Sequence, residues 1–117
     1  MSLKLNRAIP GVAEFTFDIS VDADLSSAVP IDGFSFGMLY LPSNFDGTDL
    51  KFHTAPTKDG TYQIVVNGTD GSDLTVVTAA SKNVAIPPEV MGGAWLKLES
   101  VTDQATSDTV VLATFKG

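Results

Sequence analysis

Hydrophobic and polar residues alternate with a period of two over much of this chain. Phe15, Phe17, Ile19 and Val21 are separated by Glu14, Thr16, Asp18, Ser20 and Asp22, which predicts a strand with one buried and one wet face. The run from Phe34 to Leu41 is mostly apolar, contains Gly37 and stops at Pro42. A glycine inside such a run marks a bulge or a close approach of another part of the chain. Leu50, Phe52 and Thr54 alternate with Lys51 and His53, and Tyr62, Ile64 and Val66 alternate with Gln63 and Val65. Leu74 to Thr78, Asn83 to Ile86, Trp95 to Val101 and Thr109 to Phe115 complete a set of about eight short antiparallel strands, spaced as in a sandwich or small barrel.

Turn signals punctuate these runs. Asp46-Gly47, Asp59-Gly60, Asn67-Gly68, Asp70-Gly71 and Gly92-Gly93 supply residues that tolerate the positive φ of tight connections. Thr61–Val66 and Leu74–Thr78 are expected to form a hairpin closed by the loop Asn67–Asp73. Helical periodicity is absent over any twelve-residue window, and only a short helical turn near Pro87–Met91 is expected, started by Pro87-Pro88 and stopped by Gly92-Gly93. The fold class is therefore all-β, a single sandwich domain over residues 12–117. Residues 1–11 differ in character: Leu3, Leu5 and Ile9 are apolar, but the stretch ends at Pro10-Gly11. They are expected to be an N-terminal arm or an edge strand.

Composition narrows the function. The 117 residues are 44% hydrophobic and only 18% charged, which fits one core and argues against disorder. Seven basic against fourteen acidic residues give a net charge of −7, so the chain repels phosphate backbones, and no nucleic-acid partner is expected. Cysteine is absent, which removes disulfides, thiolate metal sites and cysteine nucleophiles. No apolar run approaches the roughly 20 residues of a membrane-spanning helix. Met1 to Pro10 lacks the apolar stretch and cleavage site of a secretory signal. No membrane partner is expected.

The search for chemistry returns little. His53 is the single histidine, and no nucleophile signature accompanies it, so a surface or interface role is expected rather than a catalytic base. One histidine without cysteine rules out an ordinary zinc site. Asp22, Asp24 and the oxygen-rich loop Asn67–Asp73 raise calcium, but the loop lacks the spacing of a calcium-binding helix–loop–helix, and Asp and Asn there serve turns. The carboxylates lie in turns and on polar strand faces, not in a pair flanking a cleft. No cofactor and no enzymatic activity are expected. Phe45 sits in the loop Pro42–Gly47, where a ring can cap the core edge or anchor a partner. Trp95 is expected in or beside the core.

From Gly33 onward the order of features resembles that of small bacteriophage structural proteins. The likeness runs through Met38-Leu39-Tyr40-Leu41-Pro42, Phe45-Asp46-Gly47-Thr48-Asp49-Leu50-Lys51-Phe52 and Lys58-Asp59-Gly60-Thr61-Tyr62. It continues through Ala85-Ile86-Pro87-Pro88-Glu89, Trp95 to Ser100 and Val110 to Phe115. The acidic segment Asp22 to Pro30 has no counterpart in that pattern. The resemblance implies a capsid decoration, or cement, protein: a β-sandwich of jelly-roll type on the virion exterior, made in the host cytoplasm. Such a protein forms homotrimers and bridges subunits of the major capsid protein. Under that reading Leu3, Leu5, Ile9 and Phe45 are the candidate partner contacts. Two other roles fit the same residues: a carbohydrate- or receptor-binding module of a head or tail fibre, and a tail or baseplate connector.

Overall fold

The structure, a computed structural model, describes residues 12–104 and 108–117. The expected arm at residues 1–11, with Leu3, Leu5 and Ile9, lies outside the described residues. The elements in chain order are β1 (Val12–Phe17), β2 (Val29–Pro30), β3 (Phe36–Tyr40), β4 (Asp49–Ala55) and β5 (Gln63–Ile64). They continue with β6 (Thr75–Val77), β7 (Asn83–Ala85), a 3-10 turn (Pro88–Gly92), β8 (Trp95–Ser100) and β9 (Thr109–Lys116). Two antiparallel sheets result. One has the order β1-β9-β3-β7; the other has the order β2-β8-β4-β5, with β6 also on β4. The chain is all-β, as its alternation predicts. With β5 and β6 taken together, the first strand lies beside the last and successive strands mostly change sheets, an order compatible with a jelly roll.

Two local expectations are corrected. The alternation of the first run continues to Val21, but β1 stops at Phe17 because Asp18 folds the chain. The Asp18 carboxylate accepts hydrogen bonds from the Ser20 amide and hydroxyl at 3.0 and 2.7 Å, and its carbonyl accepts from the amides of Val21 and Asp22. Ile19 and Val21 therefore point to water. Second, β5 and β6 do not form a hairpin of two full strands. β5 pairs with His53 and Thr54, and β6 with Asp49, Leu50 and Lys51, so the two lie end to end along one edge of β4. Only the intervening excursion is a small hairpin, closed by the Val66–Asp73 bridge. A long free edge on β4 satisfies both arms.

The segment Asp22 to Pro30, which had no place in the sequence pattern, follows the edge of β8. Ser100 donates to the Asp24 carbonyl and the Ser26 amide to the Leu98 carbonyl, while the Leu98 amide donates to the Ser26 hydroxyl at 2.9 Å. Val29 and Pro30 then pair with Leu96 and Trp95. A proline is tolerated in β2 because that strand is at the sheet edge, where its missing N–H breaks no ladder.

The core lies between the sheets. Phe15, Phe17, Leu39, Val111, Ala113 and Phe115 from one layer face Leu50, Phe52, Leu96 and Leu98 from the other, all buried. Gly37 belongs to this interior. A Cβ there would stand 2.7 Å from Ile86 Cδ1 and 3.0 Å from the Phe115 ring, so its role is the close approach, within an unbroken register.

One end of the sandwich is closed by a buried amide. Gln104, 1% exposed, accepts from the Asp46 amide and donates to the Asp46 carbonyl, both at 2.8 Å. It also donates to Ser100 Oγ at 2.9 Å and accepts from Thr109 Oγ1 at 3.2 Å. This clamp holds the loop that carries Phe45. Gly47 in that loop has φ of +100°, and a Cβ there would meet Thr102 at 2.7 Å, so glycine is required twice over. Replacing Gln104 by Ala removes both of its hydrogen bonds to the Asp46 backbone. Urea unfolding should show a loss of about 2–4 kcal/mol, whereas a loss under about 0.5 kcal/mol would mean the clamp is dispensable.

Candidate functional site

The inner faces of both sheets are used by the core, so any site must be built on the outer faces, the edges or the loops. The outer face of the β2-β8-β4-β5 sheet is charged, and its charges are matched. Lys51 pairs with Asp73 at 2.9 Å and His53 Nε2 meets Glu99 Oε1 at 2.7 Å. Lys97 lies 4.5 Å from the centre of the Tyr62 ring, and Lys58 lies 6.0 Å from that of Trp95. His53 is thus a cross-strand partner on a solvated face, the surface role expected of it. Trp95, expected in or beside the core, is half-buried on this outer face because its position in β8 alternates with Leu96 and Leu98.

The outer face of the β1-β9-β3-β7 sheet is of another kind. Its cross-strand rows follow from the register: Val12, Thr114, Met38 and Ala85 in one, and Glu14, Leu112, Tyr40 and Asn83 in the next. Flanking these are Val110 opposite Thr16, and Lys116 opposite Phe36. Phe36 is 66% exposed, Val12 56%, Leu112 45%, and Met38, Tyr40 and Val110 each 37%. Six large apolar side chains contiguous on one sheet face are unlike the single exposed hydrophobes that any surface carries, and such patches mark interaction sites. The hydroxyls of Tyr40 and Thr114 bond one another at 3.0 Å, which lowers the cost of drying this surface. Beside β7 the face deepens into an open groove of about 510 Å³, edged by Phe36, Met38, Tyr40, Ile86 and Pro88.

Phe45, the one candidate contact that falls among the described residues, is buried (4% exposed) and packs edge-on to Phe17 at 6.5 Å. It caps the core and offers no ring to a partner. In the loop Asn67–Asp73, the side chains of Asn67 and Asp70 accept from the amides of Thr69 and Ser72, and Asp73 holds Lys51. The oxygens serve the turn instead of converging on a cation. Among the described residues no group of three or more His, Asp or Glu side chains is placed to hold a metal ion.

A shallow depression between β1 and β8 is rimmed by Asp18, Asp22 and Lys97. Beside it, hydrogen bonding to Asp22, followed by burial and the charges of Asp22 and Asp103, pushes the Asp24 carboxyl up to about 6. The same shared bond holds Asp22 below the usual carboxylate range.

The sequence matches no family model, and no curated protein matches it. Among solved structures, the fold is similar to that of the SPBc2 prophage-derived protein YomS, with a TM-score of 0.52 at 15% identity. The likeness covers 89% of this chain and 91% of that one. At this identity the similarity is one of fold.

The Asp22–Asp24 pair gives a signed pH dependence. Between the unfolded carboxylate range and pH 6 the folded protein binds the Asp24 proton more tightly than the unfolded chain does. Asp24's contribution is therefore favourable in acid and is lost as pH rises through about 6. Asp24→Asn should raise the melting temperature at pH 7.5 relative to wild type, with the gap closing by pH 4.5. A gap independent of pH would mean the two carboxyls share no proton.

Proposed function

We propose that this chain is a structural component of a bacteriophage virion, of the capsid decoration type, and that the apolar outer face of the β1-β9-β3-β7 sheet is its assembly surface. The observation that carries the reading is that face. Exposed Phe36, Met38, Tyr40, Val110 and Leu112 are costly to keep in water and gain by being covered. The prophage-derived origin of the similar fold and the resemblance from Gly33 onward both support a phage setting. A cysteine-free domain of 12.3 kDa is in the size range where association adds useful stability. In this role the protein joins neighbouring subunits, the major capsid protein among them, without covalent chemistry. The matched charges of the opposite sheet keep that side in water.

The reading is tested by mixing the purified protein with phage shells that lack their decoration protein and sedimenting the shells. Binding should saturate at a fixed ratio to the major capsid protein. The double substitution Met38→Asp, Leu112→Asp should weaken it by at least about tenfold while leaving the melting temperature within a few degrees. Failure to bind, with soluble and folded protein, would exclude decoration, and fibre and tail components would then be the preparations to screen.

A further inference from the structure

We infer that the apolar outer face of the β1-β9-β3-β7 sheet is covered by a second copy of this chain, the two packed face to face about a twofold axis running across the strands along the row Val12–Thr114–Met38–Ala85. The inference rests on the preceding reading of this face as a contact surface and adds what occupies it.

Charge decides the occupant. The chain carries a net charge of −7, so most pairings of two copies are opposed by self-repulsion. Within the patch formed by the rows described above, the charged residues are Glu14 and Lys116, of opposite sign, and neither makes an ion pair with another described residue. On the other sheet Lys51, His53, Asp73 and Glu99 already have partners. The register places Glu14 in the row through Leu112, on one side of Thr114, and Lys116 in the row through Phe36, on the other.

A twofold axis along the Thr114 row exchanges these two rows. Lys116 of each copy then comes over Leu112 of its partner, one strand or about 4.8 Å aside from that partner's Glu14 and within reach of its carboxylate, twice by symmetry. In the same operation Phe36, the most exposed of the patch, comes over the partner's Tyr40. An isologous contact requires such self-complementarity. The three rows that this axis superposes, on four strands about 4.8 Å apart with outward positions about 6.8 Å apart along each, offer on the order of 400 Å² per copy and about 800 Å² in a pair, the size of a weak and reversible interface. The closed twofold pairing also differs from the threefold assembly that the resemblance implies, in which unlike surfaces meet.

The test is the native mass of the full chain by sedimentation equilibrium, without shells, over a range of concentrations. The expected result is twice the chain mass. Glu14→Lys and Lys116→Glu should each weaken the pair by about tenfold or more, since each places two like-charge contacts in the interface. The combined E14K/K116E chain should return to within about threefold of wild type. Circular dichroism confirms that each variant is folded. A monomer at every concentration, a trimer, or a dimer indifferent to both reversals would overturn the inference. So would a monomer whose sheet face binds hydrophobic dye only after residues 1–11 are removed, because its own chain would then be the cover. Shell binding that persists in a strictly monomeric protein would leave the decoration role standing without this pairing, and a twofold dimer that ignores shells would do the reverse.

Discussion

The contact on which the rest of the molecule depends is the packing of Phe15, Phe17, Val111, Ala113 and Phe115 against Leu50, Phe52, Leu96 and Leu98. A strand has two faces and its side chains alternate between them. Once these residues are committed inward, the outward set of every strand is determined. With no disulfide to help, the interlayer contact must close its own ends. Gln104 does so at one end by satisfying the backbone of Asp46 inside the protein, and Phe45 rides on that clamp to seal the core beside Phe17.

The two outer faces that follow are unlike each other. Across β4 and β8 the outward positions hold Lys51, His53, Lys97 and Glu99, each with a cross-strand or neighbouring partner. Across β3 and β9 they hold Phe36, Met38, Tyr40, Val110 and Leu112. Exposed pairs of the first kind contribute little stability, but they keep water on that side. The second face has no such hold on water. One sheet thus keeps its outer face wet, and the other leaves an apolar surface of the kind that marks interaction sites.

Much of this was legible in the sequence. β4 and β8 coincide with alternating runs, and the 3-10 turn falls at Pro88–Gly92 where Pro87-Pro88 and Gly92-Gly93 bracket it. The strand misjudged at Ile19 and Val21 shows the limit of periodicity, because the Asp18 side chain competes locally for the amides that a ladder would use. β2 was invisible because a Ser- and Ala-containing segment carries no alternation, and its pairing is fixed by β8 alone. Phe45 could be read as cap or contact, and the Gln104 clamp that decides the matter spans residues far apart in the chain. The apolar face did leave a signal. Phe36–Tyr40 and Val110–Ala113 are apolar at nearly every position, not at every second one, which in a strand means burial on both sides. No helix among the described residues supplies a second covering layer, and the proposed covering is an association partner.

That covering is most directly measured by oxidative footprinting of side chains in dilute and in associated protein. The account predicts that Phe36, Met38 and Tyr40 lose reactivity on association while Tyr62 and Trp95 keep theirs. Protection of Tyr62 and Trp95, with Phe36 and Met38 unchanged, would place the contact on the charged sheet and contradict it.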